Sequence, residues 1–561
     1  MAHADTTTTT PLPPAPTLGT TGAHLKRQEA IDRFLADPKV RDWLDRYPPS
    51  PQTDATFENG SWTVHVWSGK AGEIATGDVD DATGAVTEAW TGPQVAWRMA
   101  RGYKGAFGGD RINEPALWLT SCGIFLLGLF DWRRLRSVRN LDLLVLVSLS
   151  VSLWFFNHGN VFAAMPLAYP PLVWLLLRCV WVARDDRPAR SAPVWPVWAL
   201  AAATVFLAGF RVGLNIRASN VIDVGYSGVI GADRIWHGQS PYGHFPQETV
   251  DGRDLPKCGP ADSSGEVRDR VQANGRCETA NPLGDTYGPV AYLAYIPGYL
   301  IFGWSHKWDK LPSVHFTSIL FDLLALLGLA VVGRRLGGPR VGAAAAFAWA
   351  AWPFTQYASS SNTNDSIGPA LLVWGLVAVT SDLGRGAAVA LSGWTKFASL
   401  LVLPLWAGYP RARRPRSVGL TVLGFLLATA VVFGVLFLEP SPLHAARVFY
   451  DRTVSFQIGR DSPFSIWDWG QYHAKGLPDL HLVQRVLQGL LVVAALALFF
   501  VPRRRSPLRL AALTAAVLIG FELVLTHWFY LYLPWFFPFV VLALVAPLPG
   551  TAREPAQPAV G

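Results

Sequence analysis

Residues 194–214 read VWPVWALAAATVFLAGFRVGL. A helix advances about 1.5 Å per residue, so a run of this length matches the ~30 Å hydrocarbon layer of a bilayer. Comparable runs recur at about 115–130, 141–157, 161–183, 288–304, 313–333, 341–357, 366–380, 386–407, 418–438, 484–502, 508–526 and 528–547. Composition agrees with them. Apolar residues make up 51% of the 561 and charged residues 16%, against about 25% charged in ordinary soluble domains. The 24 tryptophans suit the two membrane–water interfaces. The expected fold is an all-α polytopic membrane protein of about 11–13 transmembrane or re-entrant helices.

A formal charge of +8 raises the question of nucleic-acid binding. The distribution of that charge argues against it. Arginines cluster between apolar runs: Arg133, Arg134, Arg136 and Arg139; Arg334 and Arg335; Arg411, Arg413, Arg414 and Arg416; Arg503 to Arg505. Such clusters mark the cytoplasmic ends of spans. With them inside, two long polar connections, 215–287 and 439–483, fall outside, together with residue 527. The runs 288–304 and 386–407 are ambiguous. If both span, Arg334 and Arg335 lie outside. If both are re-entrant, every arginine cluster is inside. No Walker A loop, dinucleotide fingerprint or zinc spacing is present.

The two ends of the chain differ from the middle. Residues 1–22 are rich in Thr, Pro and Ala and read as a disordered tail; 548–561 form a second tail. Residues 23–108 read as a small α+β module. Leu25, Ile31, Leu35, Val40 and Leu44 trace a helix interrupted near Pro38, and Trp62 to Trp67 alternates as a strand does. Glu73 to Val79 and Ala85 to Trp90 follow, with a turn at 80–84. The stretch GEIATGDVDDATGAVTEAW, residues 72–90, resembles the PepSY-type domain, which implies a regulatory or interactive part. Residues 114–193 are read as additional transmembrane helices, and 194–547 as the main membrane module.

The opening run leads into Asn220-Val-Ile-Asp223-Val-Gly-Tyr-Ser-Gly-Val-Ile, which continues to Gly238-Gln-Ser-Pro241-Tyr242-Gly. Ile222, Tyr226, Val229 and Ile230 share one helical face, as expected of a helix lying in the membrane interface. Asp223 then sits at the outer surface. A carboxylate there can act as a general base toward a hydroxyl; the plain alternative is a helix cap or a solvated charge.

Together with Tyr287-Gly-Pro289-Val-Ala-Tyr292, Phe321-Asp322-Leu-Leu, Gly333-Arg-Arg-Leu-Gly and Trp394-Thr-Lys396-Phe followed by Leu403-Pro404, this layout resembles the GT-C superfamily. The likeness is to actinobacterial mannosyltransferases that use polyprenyl-phosphate mannose, and it covers roughly 194–547. It implies transfer of a sugar, mannose first among candidates, from a polyprenyl-phosphate donor to a cell-envelope glycolipid or glycan. Transfer occurs at the outer face of the plasma membrane, with inversion and with Asp223 as base. The expected partners are therefore membrane lipid, donor and acceptor, with no nucleic acid. Many superfamily members carry a paired acidic motif where this chain has one Asp. A divalent cation is thus left open, and no metal ligands are assigned.

A phosphate leaving group calls for cations and hydrogen-bond donors. The second long connection holds His444, Arg447, Arg452, Arg460, Asp461, Ser462 and Ser465, and His527 stands at the outer end of a span beside Trp528, Tyr530 and Tyr532. The candidate donor-binding set is His527, Arg447, Arg460, Lys396, Tyr242, Tyr287 and Asp365. Each has a plain alternative: an interfacial side chain for His527, solvated charge for the arginines, an inward-facing loop for Asp365. Charges within apolar runs are costly, so Asp322, Lys396 and Glu522 require partners. Asp322 and Lys396 are expected to pair with each other, unless Lys396 reaches a lipid phosphate. Cys258 and Cys277 share the outer connection and are candidates for a disulfide, or two free thiols. A transporter of a lipid-linked saccharide and a non-catalytic envelope scaffold are the competing functions. Transporters often show inverted repeats, and none is visible.

Overall fold

The computed structural model describes residues 22–102, 107–184, 193–243, 269–271, 277–279, 284–304, 311–411 and 414–546. Both tails, Cys258 and the Cys277 side chain lie outside the described residues. The chain divides into two units, Met1–Arg101 with Gln471–Pro478, and Gly102–Gly470 with Asp479–Gly561.

In the first unit, helices Arg27–Ala36 and Pro38–Leu44 meet at Asp37. Its carboxylate accepts from the Lys39 and Val40 amides at 2.9 and 3.2 Å, so the proline that ends one helix starts the next. A four-stranded antiparallel meander follows: β1 (Gln52–Glu58), β2 (Ser61–Trp67), β3 (Glu73–Asp80) and β4 (Val86–Thr91). Trp62, Val64 and Val66 of β2 are buried, as are Ala30, Ile31 and Phe34 of the first helix. Gly77 of β3 is required where the Phe34 ring and the Glu88 carbonyl close in; a Cβ there would lie 2.0 Å from that oxygen. Buried Asp81 closes the module, accepting from the His24 and Leu25 amides and the Trp62 indole. Strand β1 has no counterpart in the sequence reading, because only Ala55 of its seven residues is buried.

Among the described residues, the second unit is helical apart from one short pair of strands, Asp269–Val271 and Cys277–Thr279. Five helices among the described residues are long and apolar enough to cross a membrane: Val138–Asn157, Val161–Arg184, Val197–Ala218, Pro312–Ala351 and Pro415–Leu438. Their outer faces are apolar too. Val205, Phe206 and Val431 are each more than two thirds exposed, which suits contact with lipid tails rather than water. Helix Pro312–Ala351 breaks at Gly337 and Gly338, the latter at φ +81°, so it carries the run 313–333 and the first part of 341–357, whose remainder lies in helix Pro353–Ser360. Phe537–Val545 is buried at every position and forms the centre of the unit.

The two runs that the sequence left ambiguous are not continuous. Residues 288–304 contain two short helices, Pro289–Leu293 and Ile296–Phe302. Their combined length is about 18 Å at the helical rise, short of the hydrocarbon thickness. The run 386–407 contains Asp382–Gly393, then the 3₁₀ turn Phe397–Val402 and Leu403–Ala407, with an interruption at 394–396.

Candidate functional site

The site starts from a buried amide. Residues 219–222, which lead into helix Asp223–Trp236, run alongside residues 359–362. The Asn220 amide donates to the Ser360 carbonyl at 3.0 Å. Asn362 donates to the Asn220 carbonyl and Ser219 Oγ at 2.7 and 2.8 Å, and its own oxygen accepts from Asn215 at 2.9 Å. It does so at φ +51°, a left-handed conformation that Asn tolerates. Asp223 follows one of these strands of chain and Asp365 the other.

Asp223 is the first residue of its helix and is half-buried. A helix N-terminus favours the ionised carboxylate. The apolar face of this helix does not lie against lipid, as its periodicity suggested. Tyr226, Val229 and Ile230 are buried in protein, and Gly228 and Gly231 admit the Tyr295 and Tyr292 rings, which would stand 2.4 and 2.2 Å from a Cβ. An apolar stripe reports burial, not the medium that supplies it.

Asp365 is almost wholly buried. Its Oδ1 accepts from Lys396 Nζ at 2.5 Å and from the Trp535 indole at 2.9 Å, while Oδ2 has no hydrogen-bond partner among the described residues. Lys396 reaches it because the chain is extended there (φ −143°, ψ 125°). The Trp394 carbonyl, left without its helical partner, accepts from the Val290 amide at 3.1 Å. Gly288 allows this approach, since a Cβ would meet that carbonyl at 2.0 Å. The ammonium lies 5.4, 4.9 and 5.3 Å from the ring centres of Tyr287, Tyr532 and Trp535, a cation–π enclosure. The expected Asp322–Lys396 pair is therefore incorrect. Asp322 pairs with Arg211, and the Trp349 indole completes it at 2.9 Å. Arg211 lies within the opening apolar run, and its charge there was the signal for this partner.

Tyr287 is the point of convergence. Burial dominates the environment of its hydroxyl, and Asp223, Tyr532, Arg460 and Asp365 all act on it electrostatically. Tyr532 in turn lies within the fields of Asp365, Arg460, Asp223 and Glu522. His527 enters from the connection after helix Pro507–Leu523, with Nδ1 2.9 Å from Ser462 Oγ. The Ser462 amide donates to Asp468 at 2.6 Å, and Asp468 pairs with His481 at 3.1 Å. Burial first, then the charges of Arg460 and Lys396, push the His527 imidazole well below its usual range. It is therefore a neutral hydrogen-bonding group rather than a cation.

The second long connection is anchored beside Tyr287. Gln457 donates to Thr286 Oγ1 at 2.7 Å, and Arg452 pairs with Asp285 at 3.2 Å. Tyr242 is buried with its hydroxyl on the Tyr287 carbonyl at 3.0 Å, so it supports Tyr287 from behind. Arg447 is exposed on helix Pro442–Tyr450 and is not among the charges acting on Tyr287 or Tyr532. Glu522 is buried with Oε2 accepting from the Trp528 indole at 3.1 Å. Asp285, Ser462 and Asp468 were not singled out as a supporting set. The adjacency of Asp285 to the Tyr287 motif was the only signal for it.

The arrangement thus offers a half-exposed carboxylate, two cations, a neutral imidazole and a buried second carboxylate already bound to a cation. Among the described residues, no group of three His, Cys, Asp or Glu side chains is placed to hold a metal ion. No family model, curated protein or solved structure matches the chain.

Proposed function

We propose that this chain is an integral membrane glycosyltransferase that transfers a sugar from a polyprenyl-phosphate donor to a cell-envelope glycolipid or glycan on the extracytoplasmic face. One observation carries the reading. Asp223, Tyr287, Asp365, Lys396, Arg460 and His527 come from separate segments of the chain; Asp223, Asp365 and Arg460 act on both Tyr287 and Tyr532, Lys396 faces both rings, and Arg460 and Lys396 act on His527. The GT-C likeness gives that cluster its chemistry, and mannose is the sugar it favours. The arginine clusters give its side of the membrane.

In this reading the acceptor hydroxyl loses its proton to Asp223, and its oxygen forms a bond to the anomeric carbon. The bond from that carbon to the phosphate oxygen breaks with inversion. The polyprenyl phosphate leaves carrying the negative charge, stabilised by Lys396, Arg460 and a hydrogen bond from His527. Asp223 is assigned as base rather than Asp365 because one oxygen of Asp365 is committed to Lys396 and Trp535 while Asp223 retains exposure. Asp365 Oδ2 is then available for a sugar hydroxyl.

The test uses membranes from cells overproducing the chain, supplied with radiolabelled polyprenyl-phosphate sugars one at a time. Label should enter a glycolipid or glycan with one donor, and Asp223→Asn should abolish transfer while donor binding remains. Transfer surviving in both Asp223→Asn and Asp223→Ala would remove Asp223 from the role. No incorporation with any donor would move the assignment to a transporter or scaffold.

A further inference from the structure

Arg460 and Ser462 reach the site at the end of a strap, residues 448–462, that is held by few contacts of its own. Only Thr453 of the π turn Asp451–Ser455 is buried, and none of Phe456–Ile458 is. What seats the strap is the segment just before Tyr287. The Asp285 side chain is fully buried. Its Oδ2 accepts from the Gly243 amide at 2.9 Å and pairs with Arg452 Nε at 3.2 Å. The next residue, Thr286, accepts from Gln457 at 2.7 Å. The π turn makes this double grip possible: its wider winding brings positions five apart onto one face, so Arg452 and Gln457 meet successive residues. The far side of Asp285 is closed by the Tyr242–Gly243 turn. The Tyr242 ring packs edge-on against Phe449 with centres 5.0 Å apart. Gly243, at φ +84°, lies under Val448, whose Cγ1 would stand 3.0 Å from a Cβ.

From this geometry we infer that Asp285 is a positioning residue. It clasps the strap to the Tyr242 turn, and so sets where Arg460 stands and how Ser462 holds His527. The inference rests on the donor-binding role given above to Arg460 and His527. Asp285 touches neither sugar nor phosphate in this account. It faces Arg452 as an ion pair, and removing one partner of a buried pair leaves the other uncompensated, which a neutral contact would not do.

Two measurements on the full chain in lipid nanodiscs test it. Hydrogen exchange of residues 448–462 is compared in the parent, Asp285→Asn, Arg452→Gln and the double variant. Transfer kinetics are measured on the same proteins. Asp285→Asn should speed exchange in the strap alone, and the double variant should exchange no faster than either single one. The donor KM should rise about tenfold, equivalent to about 1.4 kcal/mol, with kcat little changed, and Asp285→Glu should recover part of it. Unchanged strap exchange in folded Asp285→Asn, or effects of the two substitutions that simply add, would overturn the clasp. If Asp285→Asn fails to fold, Gln457→Ala and Arg452→Gln make the same test from the strap side. A parent protein with no transfer activity would count against the glycosyltransferase reading, while the exchange measurement would still judge the clasp.

Discussion

Lys396 Nζ stands 2.5 Å from Asp365 Oδ1, inside an enclosure of three aromatic rings. The pair is charge-balanced within itself, yet the carboxylate keeps one oxygen without a partner among the described residues. A phosphate arriving beside it would find a cation whose desolvation has already been met by the fold. Lys396→Met should therefore do two kinds of damage. It strands a buried carboxylate, at about 3–5 kcal/mol, and it removes the phosphate counter-charge. Pairing it with Asp365→Asn should restore much of the stability and none of the transfer. Thermal unfolding and transfer measured on the same samples separate the two effects.

The Arg211–Asp322 pair is purely internal. Both side chains are nearly inaccessible, and Arg211 also donates to Thr355 Oγ1 at 3.2 Å. Arg211→Met alone is expected to cost about 3–5 kcal/mol, because it leaves Asp322 uncompensated. Arg211→Met with Asp322→Leu should recover most of that. Recovery of folded protein in detergent is the measurement, and a single variant as stable as the parent would contradict the ion pair.

Helix Asp223–Trp236 depends on the absence of side chains at two positions. A Cβ at Gly231 would stand 2.2 Å from the Tyr292 ring, which is itself tied through its hydroxyl to the Gly284 carbonyl at 2.9 Å. Gly231→Val should destabilise the unit by about 1–3 kcal/mol. It should also displace Tyr287, whose amide donates to the same Tyr292 hydroxyl at 3.3 Å. Transfer should fall more than unfolding alone predicts.

His527 gives a pH prediction with a definite sign. Its folded-state pKa lies well below the usual value, chiefly through burial, so the unfolded chain binds the proton first. Its contribution to stability is complete above the unfolded value of about 6.5 and is lost as pH falls from there toward the folded value. His527→Gln should flatten that loss. Between pH 7 and 8, donor affinity should show no step from this residue, since it is already neutral. A titration step that His527→Gln removes would contradict the assignment.

Much of the helical architecture was legible because apolar runs announce themselves by length. Pairing was not. Asp322 and Lys396 both occur in apolar runs, and nothing in spacing says that one meets Arg211 and the other Asp365. The stripe at Tyr226, Val229 and Ile230 fixed a helix face without fixing its neighbour. Strand β1 escaped because a mostly exposed edge shows little alternation. The run 386–407 was ambiguous between spanning and re-entrant, and spacing alone did not say where it breaks; it breaks at Trp394-Thr395-Lys396, where the Trp394 carbonyl accepts from the distant Val290 amide. The residues of the candidate site were readable one by one, since charges and histidines at the ends of apolar runs are conspicuous. Their support, Asp285 and Asp468 above all, was not, because it consists of contacts between distant segments.

Asn362 has a consequence for the two carboxylates. Asp223 and Asp365 are placed by segments that share this one amide. Position 362 works as a spacer gauge. Exchanging it would shift the two acids relative to each other and, on the proposed function, change the width of the gap that an acceptor would enter. Tolerance for bulkier or slimmer acceptors would then be written in a residue that no acceptor touches.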